Sequence, residues 1–195
     1  LGHARLSIID LGGGAQPIHN GHETVWITFN GEIFNYIELR QELLARGHRF
    51  YTQSDTEVIV HAYDEYGDAF IDHLNGQFSF AIWDRRKRRM LLARDRAGIL
   101  PLYYAEVNGS VVFGSEVKAL LASGLVRPAL DPDGLDELMT FWAPIAPRTI
   151  FAGVSQVAPG EMLVLDERGL ARRRYWHWEF PRAAELRRDP PATLM

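Results

Sequence analysis

Three times along this chain two apolar runs are parted by a short polar turn, and this recurrence constrains the fold more than any other feature. "GQFSFAIWD" (76–84) and "RMLLARD" (89–95) flank the charged turn Arg85 to Arg88. "PLYYAEV" (101–107) and "SVVFGS" (110–115) flank Asn108-Gly109, and "EMLVLDERGLARRRYW" (161–176) doubles back at its middle. Asn-Gly suits a type I′ turn, where both central residues take positive φ, and a hairpin makes its strands antiparallel. Further strands are expected at "RLSIIDL" (5–11), "TVWITF" (24–29) and "RFYTQ" (49–53). Helical patterns lie between them. "YIELRQELLARG" places Ile37, Leu39, Leu43 and Leu44 near helical spacing and ends at Gly47. "SDTEVIVHAYDEYG" carries Ser54 with Glu57 three residues on, a capping-box signature, and ends at Gly67. "SEVKALLASG" and "DPDGLDELMTFW" complete the set. Antiparallel strands with amphipathic helices covering sheet faces make the expected class α+β.

Composition narrows function mainly by exclusion. The 195 residues are 47% apolar and 24% charged, as in one substantial globular domain. A net charge of −4 offers no general attraction to nucleic acid or anionic lipid. No apolar run approaches the ~20 residues of a membrane span, and no charged-then-apolar leader opens the chain. The expectation is a cytoplasmic protein without nucleic-acid or membrane partners. Cysteine is absent, which excludes disulfides, Cys-zinc sites and a thiol nucleophile within these residues. The chain opens on Leu1 rather than Met, so it is expected to be part of a longer one. From Trp178 the pattern gives way to a charged segment rich in Pro and Arg. The expected division is a domain over 1–177 and a linker over 178–195.

Several polar groupings have two readings. "RRKRR" (85–89) is a phosphate-contacting patch or a solvated hairpin turn, and its place between apolar strands favours the turn. "HNGH" (19–22) offers two imidazoles without a carboxylate or Cys pattern, which favours a surface loop over a metal site. In "SDTE", Ser54 can cap a helix whose positive N-terminus suits Asp55 and Glu57, or the carboxylates can serve a ligand. Arg5 either snorkels from a buried strand or holds a carboxylate with its planar fork. Asn30-Gly31 is more specific. The strand from Thr24 is expected to stop there, presenting an amide NH₂ and a bare backbone N–H as convergent donors. Such a pair can receive the oxyanion formed when an amide carbonyl is attacked, and glycine permits the close backbone approach.

Taken in series, "LGHARLSIIDL…QP", "FNGEIFNY", "SDTEVI", "LNGQFSFAIWD", "RDRAGILPLYY", "FGSEVKALL" and "PRTIF…PGEMLVL…YW" resemble the glutaminase domain of glutamine-hydrolysing asparagine synthetases. The resemblance runs from Leu1 to about Trp176. "NGEIFN" and "SDTEV" alone would fit any class II glutamine amidotransferase; "HARLSIIDL" and "PRTIF" point to the asparagine synthetase branch. The resemblance implies a four-layer αββα sandwich of antiparallel sheets, of the N-terminal-nucleophile hydrolase type. It implies hydrolysis of glutamine to glutamate and ammonia, with Asn30 and Gly31 as the oxyanion hole. Arg5 would grip the glutamine α-carboxylate, Asp55 with Glu32 its α-ammonium, and Ile8 and Ile9 would line the pocket through backbone groups. No metal or cofactor is implied for this domain. ATP and Mg²⁺ are implied for a C-terminal synthetase domain that would use the ammonia to amidate aspartate. That domain and glutamine are the expected partners, with a homodimer left open. The nucleophile would be a cysteine after the initiator methionine, outside these residues, so the fragment itself is expected to be inactive. Leu100 stands where a lysine is common. The alternatives are a non-catalytic scaffold domain like that of β-lactam-forming synthetases, or another class II amidotransferase.

Overall fold

A computed structural model describes residues 1–3, 10 and 13–180 of the chain. Among them the first strands are β1 (Ile18–His19) and β2 (Val25–Ile33), followed by helices α1 (Tyr36–Ala45) and α2 (Asp55–Tyr66). A 3₁₀ segment (Gly67–His73) leads into the hairpin β3 (Gly76–Asp84) and β4 (Arg89–Arg94). The second hairpin is β5 (Tyr103–Val107) and β6 (Ser110–Gly114), then come α3 (Val117–Ala122) and α4 (Pro132–Phe141). The short β7 (Ser155–Gln156) precedes the third hairpin, β8 (Glu161–Asp166) and β9 (Gly169–Arg174).

All pairings within these strands are antiparallel, in a six-stranded sheet ordered β1-β2-β3-β4-β8-β9 and a three-stranded sheet ordered β6-β5-β7. Strand alternation then builds the layers. Val25, Ile27, Phe29 and Ile33 of β2 lie on one face and pack with Leu39, Leu43, Val58, Ile59 and Tyr63 of α1 and α2. The other face turns Ala81, Leu92 and Leu163 toward Leu102 and Tyr104, next to and on the second sheet. Beyond that sheet Ala105 and Val112 meet Val117 and Leu120 of α3. The order helix, sheet, sheet, helix is the four-layer α+β sandwich anticipated from the sequence.

The three hairpins stand where the turn chemistry placed them, and Asn108 and Gly109 take φ of 50° and 75°, as a type I′ turn requires. The "RRKRR" turn is tied down by carboxylates: Arg86 bonds Asp64 and Asp84, and Arg89 bonds Asp68 and the Tyr63 hydroxyl. Other expectations need correction. The segment 49–53 is irregular rather than a strand, because the Tyr51 and Thr52 N–H groups bond the Glu57 carboxylate. On α1 only Leu39 and Leu43 are buried, while Ile37 and Leu44 lie on the outer face. "HNGH" is only partly a surface loop, since His19 belongs to β1 and the buried Asn20 side chain organises the turn to Thr24. The expected strand over 5–11 falls mainly, and the linker from 181 onward wholly, outside the described residues.

Candidate active site at the open edge of the second strand

The expected break at Asn30-Gly31 does not occur. β2 runs through both residues to Ile33, with Asn30 opposite Ser79 and Gly31 opposite Phe78. Glycine is what lets it continue. A Cβ at Gly31 would stand 2.1 Å from the Gln77 carbonyl oxygen, and Gly31 has φ of 144°, a conformation that L side chains rarely adopt.

The ladder register decides where each backbone group of β2 points. Phe34 N–H bonds the Asn75 carbonyl, so even-numbered residues of β2 direct their backbone groups at β3 and odd-numbered residues direct theirs at the opposite edge. On that edge the Gln16 side chain stands in for a strand, accepting from Phe29 N–H at 2.6 Å and donating to the Phe29 carbonyl at 3.0 Å. Ile33 N–H donates to Asp55 Oδ2 at 3.1 Å. Gly31 N–H lies between these two and has no acceptor among the described residues. The half-buried Asn30 side chain, on the face toward the second sheet, likewise makes no hydrogen bond among them. An amide and an adjacent backbone N–H on one strand, neither engaged among the described residues, form an oxyanion receptor in chemical type.

Asp55 closes the corner two residues beyond Gly31. Ser54 precedes it as N-cap of α2, accepting from Thr56 N–H, and donates its hydroxyl to Asp55 Oδ1 at 3.4 Å. Asp55 is only 5% exposed and has no ion pair among the described residues. Burial pushes its carboxyl above the ordinary value, against the lowering effect of the N–H groups of Ile33 and Thr56 and the Ser54 hydroxyl. A buried carboxylate whose partners among the described residues are all neutral donors is suited to receive a cation. From Asn30 to Ile33 the strand advances roughly 10 Å, a span of the order of an extended amino acid with a long side chain. Glu32 lies between, exposed to solvent. The structure thus brings Asn30, Gly31, Glu32 and Asp55 together on one strand end; Arg5, Ile8 and Ile9 lie outside the described residues.

The capping box is not reciprocal. Glu57 does not return to the Ser54 N–H, which bonds Thr52 Oγ1; Glu57 instead gathers the loop before the helix. Gln16 carries no sequence signal of its own beyond the "QP" of the resemblance, because covering a strand edge from a loop depends on the fold.

Residues 1–176 match the family described as "Glutamine amidotransferase domain". The chain belongs to that family. The amidotransferase domain is 42% identical, over 198 aligned positions covering all of this chain and 32% of the relative, to "Asparagine synthetase [glutamine-hydrolyzing] 3" of Bacillus subtilis (strain 168). It is 43% identical to "Asparagine synthetase [glutamine-hydrolyzing] 1" of the same organism, over 87% of this chain and 27% of the relative. It spans about a third of the length of these relatives. Among solved structures, the glutamine phosphoribosylpyrophosphate amidotransferase of B. subtilis superposes with a TM-score of 0.60 at 24% identity, covering 83% of this chain and 32% of that one. That likeness shows that the two share the fold, a sandwich of antiparallel sheets flanked by helices. No helix among the described residues is long and apolar enough to cross a membrane.

Proposed function

We propose that this domain is the glutaminase portion of an asparagine synthetase, releasing ammonia from the side-chain amide of glutamine. The observation that carries the reading is the strand end itself. Two donors at Asn30 and Gly31, without an acceptor among the described residues, stand beside a buried Asp55 that has no ion pair among them. Asp55 with Glu32 takes the α-ammonium, and Arg5 takes the α-carboxylate. Ile8 and Ile9 offer backbone groups to the pocket. The amide then reaches Asn30 and Gly31, where the carbonyl oxygen gains charge on attack and the two donors stabilise it. The chain has no cysteine, so the attacking thiolate comes from a cysteine elsewhere in the full-length protein. The nucleophile adds to the amide carbon, and collapse breaks the C–N bond. The nitrogen leaves as ammonia with the proton the thiol gave up.

On this reading the domain works with a C-terminal synthetase portion that uses ATP and Mg²⁺ to amidate aspartate, in the cytoplasm. Among the described residues no three His, Cys, Asp or Glu side chains converge to hold a metal ion. In the full-length protein, Asn30→Ala should lower glutaminase kcat by about 10²–10³-fold, measured as glutamate released. An unchanged rate would remove Asn30 from the oxyanion role, and a parent protein that releases no glutamate from glutamine would favour a scaffold domain.

A further inference from the structure

Directly across the ladder from Asn30, the Ser79 hydroxyl belongs to a residue that is 2% exposed, and it has no hydrogen-bond partner among the described residues. Buried hydroxyls are rarely left so, because water is lost without replacement. The hydroxyl borders a cavity of about 100 Å³ between the two sheets, lined by Thr28, Asn30, Ser79, Ala81, Leu102 and Phe113 among others. A cavity of that size has room for ordered water or for the end of a side chain. Its walls are apolar on the side of Ala81, Leu102 and Phe113. The side chains of Thr28, Asn30 and Ser79 make no hydrogen bond to one another.

We infer that Ser79 Oγ is the hydrogen-bond acceptor for the nitrogen of the scissile carboxamide and for the ammonia it becomes. This deepens the glutaminase reading and rests on it. The assignment of atoms follows from the ladder. Gly31 N–H points to the outer edge of β2, so an oxygen shared by Gly31 and Asn30 sits on that side. The other substituent of the same carbon is the nitrogen, and it falls on the inner side, above β3, where Ser79 stands. Asn30 and Ser79 form a hydrogen-bonded ladder pair, whose Cα atoms lie ~5.5 Å apart, leaving space for one small group between their side chains. In the reaction the C–N electron pair stays with nitrogen, which takes up the proton released by the nucleophile; Ser79 accepts an N–H throughout and forms no covalent bond.

The test compares two substrates on the full-length protein: glutamine, which loses ammonia, and the γ-methyl ester of glutamate, whose leaving oxygen carries no N–H. Ser79→Ala should lower kcat/KM for glutamine by roughly 3–10-fold, the range of one neutral hydrogen bond. It should leave the ester unaffected, and Ser79→Thr, which keeps the hydroxyl, should restore glutamine. Because the hydroxyl has no partner among the described residues, Ser79→Ala should melt no lower than the parent. Equal losses on both substrates, no loss on glutamine, or a lower melting temperature would each overturn the inference. Asn30→Ala separates the two readings: it should slow both substrates, and if it slows neither, the oxyanion assignment fails whatever Ser79 does.

Discussion

At Gly31 one missing Cβ serves the fold and, on the proposed reading, the chemistry. The position needs φ of 144° and approach to the Gln77 carbonyl within 2.1 Å of where a Cβ would stand. Gly31→Ala should therefore lower unfolding free energy by about 1–3 kcal/mol from backbone conformation alone, more if the ladder to Phe78 opens, as read by denaturant titration. Unchanged stability would show that the strand absorbs the methyl and that close approach is not the reason for glycine. Asp55 makes a prediction in pH. Burial raises its folded-state pKa above 3.8, so between 3.8 and the raised value the native state binds more protons than the unfolded chain. This group's contribution to stability is therefore greatest below 3.8 and is lost as pH rises through the folded pKa. Binding an ammonium has the opposite preference, since it requires the carboxylate. KM for glutamine in the full-length protein should rise as pH falls through that same window. Asp55→Asn should raise KM at neutral pH without lowering the melting temperature. A variant that melts earlier and keeps its KM would leave Asp55 with only a helix-terminal role.

Helix α2 shows how an element is anchored by a residue whose sequence signal is misleading. Glu57 is 0% exposed, and its carboxylate accepts from Tyr51 N–H at 2.8 Å, Thr52 N–H at 2.7 Å, Thr52 Oγ1 at 2.6 Å and His61 Nε2 at 3.3 Å. Burial pushes its pKa up, but the hydrogen bonds from His61, Thr52 and Tyr51 prevail and hold it below 4.5. Its contribution is present above 4.5 and is lost as pH falls through the lowered folded value. Glu57→Gln should cost about 1.5–3 kcal/mol, the range for hydrogen bonds to a charged group, and flatten the acid side of the stability profile. Faster amide exchange at Tyr51 and Thr52 should accompany it; unchanged exchange would mean that the loop holds itself. The same element shows what local sequence can convey. Ser54 as N-cap and Gly67 as stop were legible because both act within one turn of helix. The destination of Glu57 was not, because a capping box and a loop anchor share the same spacing. Likewise, Asn108-Gly109 gave a turn since its strands follow directly, whereas Asn30-Gly31 sits inside a strand whose partner lies more than forty residues on, at Ser79 and Phe78. The chemical types at Asn30 and Asp55 were readable; their meeting at one strand edge, with Gln16 covering the neighbouring N–H, depended on register.

Across the molecule, the site depends on how the two sheets are held, since the cavity beside Asn30 has walls from both. The link is the passage from β4 to β5, and two adjacent residues of opposite charge organise it. Asp95 accepts from the N–H groups of Phe78 at 3.3 Å, Ala97 at 3.1 Å, and Ile99 and Leu100 at 3.0 Å each. The Arg94 guanidinium donates to the carbonyls of Leu100 at 2.7 Å, Gly98 at 2.6 Å and Val157 at 2.9 Å, and to Gln156 Oε1 at 3.1 Å. Arg94 belongs to the six-stranded sheet and Gln156 to the three-stranded one, so one side chain spans both. Desolvation lowers its pKa and the neighbouring Asp95 carboxylate opposes that, but an arginine remains charged at any physiological pH. Arg94→Met keeps much of the stem's packing and leaves these acceptors without their donor. Several unsatisfied acceptors at about 1–3 kcal/mol each should cost on the order of 3 kcal/mol or more. The loss should also be uneven. Amides of β5 and β6 should exchange well before those of β2 and β3 in the variant, while the parent protects both sheets to a similar degree. If the variant loses stability but both sheets still exchange together, Arg94 stabilises the molecule without coupling its halves, and the cavity wall must be held by the apolar contacts of Leu102 and Tyr104 alone.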